Sequence, residues 1–82
     1  MSDEREEELG EVRARAREAS EALEARAVEA LQLARRIQEL TNGTPGWYRG
    51  MRTRVEAAEV LRQARVFVRT LEDLDKGARA RG

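Results

Sequence analysis

The 82-residue chain contains neither cysteine nor histidine. Disulfides and thiolate nucleophiles are therefore excluded, and so are the common zinc sites. Ser2 and Ser20 have no imidazole to activate them, and Lys76 is the sole lysine, so nucleophilic catalysis is not expected. Proline occurs once, as Pro45, and the aromatic residues are only Trp47, Tyr48 and Phe67. No apolar run reaches the roughly 20 residues that a membrane helix needs. The opening MSDEREEELG is acidic, the opposite of a secretory leader. These features predict a soluble, cytoplasmic protein without membrane contact. The formal net charge is zero, so no overall attraction to nucleic acid is built in.

What the chain does have is charge and alanine. Charged residues make up 39 % of it, and alanine supplies 13 of its apolar side chains. Few large apolar groups remain to offset the entropy of ordering the chain. A second copy or another partner is expected to complete its core.

Periodicity predicts two helices and a joint. The first covers about residues 3–41, with Ser2 as a cap and acidic residues in the opening turn. Its apolar positions are Leu9, Val12, Ala16, Ala19, Leu23, Ala27, Ala30, Ala34 and Ile37, with Leu33 and Leu40 on one flank and Leu31 on the other. Their mean spacing is the coiled-coil period of about 3.5 residues. Arg26 occupies a seam position in this row, where it is expected to reach the edge or to pair with a glutamate of another helix.

Asn42-Gly43 reads as a stop, and Thr44-Pro45 as a cap with proline following it. The joint is thus 42–46, and the second helix about 47–76. Ala57, Val60, Ala64, Phe67, Leu71 and Leu74 form its heptad, broadened by Leu61 and Val68. Gly77 is expected to end it, leaving 77–82 as a basic tail. Trp47, Met51, Val55 and Ala58 fall on a different face from Phe67, so this opening segment is expected either to bend away from the main helix or to pack against something else. The segment RVEAAEVL, Arg54–Leu61, resembles helices of HEAT-like helical proteins. That likeness implies helix and nothing of function.

The expected fold is an all-α, single-domain antiparallel hairpin whose two stripes face each other. It is expected to self-associate into a four-helix bundle or coiled coil. The expected oligomer seam is Leu9, Val12, Leu23, Ile37, Leu61, Phe67, Leu71 and Leu74.

Folding back gathers arginines beside the aromatic pair at one end, while residues 3–11 carry a net charge of −5 at the other. Trp47, Tyr48, Arg49, Met51, Arg52 and Arg54 are the candidate partner-binding residues. Arginine and exposed aromatics are the usual anchors of protein interfaces. They also suit phosphates and stacked bases, so nucleic acid is the alternative partner. The plain structural alternative is that Trp47 plugs the end of the bundle above Met51.

Glu21-x-x-Glu24 and Glu56-x-x-Glu59 have carboxylate spacing that some metal-binding bundles use, but both lie towards the polar side and lack histidine partners. No metal or other cofactor is expected, and no catalysis. The chain reads as a non-enzymatic oligomeric interaction module: an adaptor, regulator or assembly subunit.

Overall fold

The structure is a computed structural model that describes the backbone of residues 2–81 and the side chains of residues 3–77. Helix α1 spans Ser2–Thr41 and helix α2 spans Trp47–Arg81. They lie antiparallel in a rod of 62 × 18 × 14 Å, and there is no strand among the described residues. The side chain of Ser2, the expected cap, lies outside those described.

Both helices are rich in alanine, arginine, glutamate and leucine, all strong helix formers. Asp3 and Glu4 sit in the first turn of α1, at the positive end of its dipole. Ion pairs one turn apart line both outer surfaces: Arg17–Glu21, Arg26–Glu29, Arg36–Glu39, Arg52–Glu56 and Glu59–Arg62. The Arg62 guanidinium, followed by the Gln63 amide, holds Glu59 below the usual carboxylate range by hydrogen bonding to its charged form. Gly77 does not end α2. It stands among good helix formers without a proline to stop propagation, and α2 runs on to Arg81.

The joint is built from short polar contacts. Gly43 adopts φ 78°, the left-handed conformation that turns the chain out of α1. The Thr44 hydroxyl donates to the Thr41 carbonyl at 2.6 Å and accepts the Gly46 amide at 3.2 Å. One side chain thereby ties the end of α1 to the start of α2. The Trp47 amide then donates to the Thr44 carbonyl at 3.1 Å.

The contact between the helices is a row of mostly small and polar residues, with Leu31, Leu61, Val68 and Leu71 among them. On α1 it comprises Arg13, Ser20, Glu24, Ala27, Leu31, Ala34, Gln38 and Thr41, all buried or half-buried. On α2 it comprises Gly50, Arg54, Ala57, Leu61, Ala64, Val68, Leu71 and Asp75. Both rows repeat at 3.5-residue spacing, as antiparallel helices packed along their length require. The buried cluster is Ala27, Leu61 and Ala64, with Val28 and Leu31 against it. Ser20 is wholly buried, and its hydroxyl donates to the Arg17 carbonyl at 2.7 Å. Arg13 and Arg17 approach Asp75 at 3.8 and 3.4 Å, and Arg65 approaches Glu24 at 3.8 Å. These three ion pairs cross between the helices in the antiparallel register.

The close approach has its tightest point beside the joint. A Cβ built on Gly50 would collide with the Thr41 hydroxyl and come within 3.3 Å of the Gln38 Cα. Thr41 is held in place, since its hydroxyl donates to the Ile37 carbonyl at 2.8 Å. Alanine has the better helix propensity by about 1 kcal/mol, yet the Gln38 backbone cannot rotate away. Gly50→Ala is therefore expected to destabilise the hairpin by about 1–2 kcal/mol net. A thermal melt that rises on this substitution would show that the helices do not meet here.

The aliphatic stripes recognised in the sequence do not face each other. Leu9, Val12, Leu23, Ile37, Phe67 and Leu74 are all exposed, whereas Leu61 is buried and Leu71 half-buried in the contact between helices. The exposed row on α1 lies one residue before the contact row at every turn, and so do Val60, Phe67 and Leu74 on α2. One residue turns a helix by about 100°. Because the helices are antiparallel, a backward step on each turns both rows towards the same broad side of the hairpin. That front face carries nine of the 13 exposed large hydrophobic residues, each 43–62 % exposed. Arg26 lies on it too, bonded at 2.9 Å to Glu29 of its own helix rather than to another helix. The opposite, back face carries Glu11, Glu18 and Glu21 on α1 and Arg62, Arg65 and Arg69 on α2.

Candidate partner-binding site at the hairpin tip

The candidate residues occupy the start of α2, where the joint brings them beside the last turns of α1. Trp47, Met51 and Arg54 share an open cleft of about 420 Å³ with Arg35, Gln38, Glu39 and Asn42. Trp47 is half exposed in the single hairpin. Tyr48 supports it edge to face, with ring centroids 5.9 Å apart and an interplanar angle of 87°. Met51 is half-buried behind the tryptophan, so the cleft has an apolar floor.

The charges around that floor are unequal. Glu39 is engaged by Arg36 at 3.0 Å. Among the described residues, Arg35, Arg49 and Arg54 have no carboxylate within 4.0 Å. Two of these free guanidiniums, Arg35 and Arg54, line the cleft. It therefore offers an aromatic ring and a thioether between two cations.

The six candidate residues do not form one continuous surface. Trp47, Met51 and Arg54 converge on the cleft, with Tyr48 behind them. Arg49 lies one step before Gly50, on the front face. Arg52 stands at the outer edge of α2 and is bonded to Glu56 at 2.9 Å. Arg35 is one of the arginines that folding back was expected to bring beside Trp47, whereas Gln38 and Asn42 were not among the sequence candidates. Their signal was their spacing: positions 35, 38, 39 and 42 form one helical strip on α1 that the joint sets against Trp47.

A second groove lies further along the back face, where Arg62, Arg65 and Arg69 border Leu31, Leu61 and Val66. The four glutamates with metal-like spacing are each engaged by arginine: Glu21 by Arg17, Glu24 by Arg65, Glu56 by Arg52 and Glu59 by Arg62. Among the described residues no three acidic groups come together as a metal site would require. Likewise, no helix of the described residues is long and apolar enough to cross a membrane.

No family model matches the chain, and neither a curated protein nor a solved structure shows similarity to it.

Proposed function

We propose that the chain is a non-enzymatic, self-associating helical module that holds a protein partner in the cleft at its tip. The observation that carries this reading is the cleft itself. Trp47 and Met51 stand open between Arg35 and Arg54, two cations without acidic partners among the described residues. A partner segment that sets a carboxylate beside an apolar side chain matches both features. The apolar side chain covers the ring, and the guanidiniums take the carboxylate in paired hydrogen bonds.

Self-association follows from the front face. Its nine large side chains each keep about half their surface in water. Covering that half is worth about 1 kcal/mol apiece, on the order of 18 kcal/mol for two copies. Association costs roughly 4–15 kcal/mol, so the balance favours assembly.

The sole tryptophan gives a direct readout of the tip. Candidate partners are first captured on the immobilised chain and identified. Titration of the identified partner is then followed by Trp47 fluorescence. Arg54→Ala should weaken binding at least about tenfold, a loss on the order of 1.4 kcal/mol for one charge-assisted contact. Trp47→Ala, read by calorimetry, should weaken it further, while the melting temperature changes little because the ring is half exposed. A large fall in melting temperature with binding intact would return Trp47 to a purely structural role. A short single-stranded nucleic acid is the second ligand to titrate. Tight binding that falls steeply with salt would favour the nucleic-acid alternative, since displaced counterions set that slope.

A further inference from the structure

We propose that the front face is covered by a second copy of the chain, laid face to face with its tip at the opposite end of the rod. This deepens the self-association in the reading above and does not depend on what the tip binds.

Charge selects the direction. Residues 3–11 carry a net charge of −5 and residues 35–54 a net charge of +4. With tips at opposite ends, each acidic end lies beside the other copy's basic tip. With tips together, like charges meet at both ends.

Side-chain size selects the register. A twofold axis level with Arg26 lays Leu23 over the second copy's Ala30, Ile37 over its Ala16 and Leu33 over its Ala19. Within residues 16–37 each large aliphatic residue meets a small one. Arg26 meets its own copy at the axis, each guanidinium bonded to Glu29 of its own helix. Val12 lies over the second copy's Leu40. The Glu24–Arg65 ion pair places Gln63 of α2 level with Arg26 of α1. An axis through Gln63 lays Phe67 over the second copy's Val60. One axis therefore serves both helices, with large–small pairs on α1 and an apolar Phe67–Val60 pair on α2. At the axis Gln63 meets its own copy, and a side-chain amide can both donate to and accept from its twin. The tips-together arrangement instead stacks α1 on the other copy's α2, and it is charge, not side-chain size, that disfavours it.

The tip cleft belongs to the back face, so this dimer leaves it open in both copies. The product is a straight connector with one Trp47 cleft near each end.

The absence of cysteine makes the test direct. Asn42→Cys, carrying a spin label, reports the distance between tips in the assembled protein by pulsed electron resonance. Asn42 lies 16 residues, about 24 Å, from the axis in each copy, so the expected distance is about 50 Å. Tips at the same end would give about two helix spacings, roughly 20 Å. Gln63→Cys, unlabelled, should form a disulfide-linked dimer under mild oxidation, and unlabelled Asn42→Cys should not. A mass of two chains with a long tip distance and the Gln63 crosslink supports the proposal. A dimer with the short distance overturns this geometry while leaving self-association standing. A single-chain mass at the concentrations used overturns both.

Discussion

Leu61→Ala is expected to destabilise the protein by about 3 kcal/mol, within the 2–5 kcal/mol range for leucine truncations in cores. Leu61 is 7 % exposed and is the one large side chain in a buried set otherwise made of Ala27, Ala34 and Ala64. Alanine neighbours have no spare atoms with which to fill the space. The helices cannot move closer either, because Gly50 already lies against Thr41 and the Gln38 backbone. The cavity therefore stays open, and its lining loses dispersion contacts as well as burial. For a chain of this size, 1 kcal/mol shifts the midpoint by about 4–8 °C, so a fall of more than about 10 °C is expected in thermal circular dichroism. Val66→Ala removes an exposed valine from the same helix and should leave the midpoint nearly unchanged. Equal responses from the two variants would show that Leu61 does not hold the hairpin together.

Leu61 also shows where the sequence was readable and where it was not. The joint was legible because its signals are local: Asn42-Gly43 stops one helix and Thr44-Pro45 prepares the next. The aliphatic rows were legible as rows, because side-chain periodicity is written directly in the residue types. Their destination was not. Apolar spacing reports which side of a helix avoids water, and in a hairpin two neighbouring sides can be covered by different things. The row that packs inside this hairpin contains Ser20, Thr41, Gly50 and several alanines, residues that carry little hydrophobic signal. Arg13, Glu24, Gln38 and Asp75 interrupt it with polar groups that pair or sit at its margins. What selects that row is how closely two backbones can approach, a property of a pair of helices. The tip follows the same division. The separate face of Trp47 and Met51 could be read from spacing on α2 alone, and the hairpin brings Arg35 and Arg36 to that end, but that Arg35 rather than Arg36 lines the cleft follows only from the register.

The second large effect is expected from Phe67→Asp, and it separates the two rows of α2. In a lone hairpin Phe67 is 43 % exposed, so aspartate there would cost that hairpin only a modest loss of packing and helix propensity. In the proposed dimer the same position lies under the second copy's Val60, out of water. An unpaired carboxylate buried there costs several kcal/mol in each half of the assembly. Each 1.4 kcal/mol is a factor of ten in affinity, so the dissociation constant should rise by at least about a thousandfold. Light scattering at micromolar concentration should then give the mass of one chain, and the melting midpoint should lose its dependence on protein concentration. Val66→Asp is the matched control. It adds the same charge one residue earlier, on the outer edge of α2, where both the hairpin and the proposed dimer leave the position in water. That variant should remain associated. If both variants dissociate, the added charge acts through general repulsion; if neither does, the front face is not where copies meet, and the nine side chains there must be covered by a different molecule.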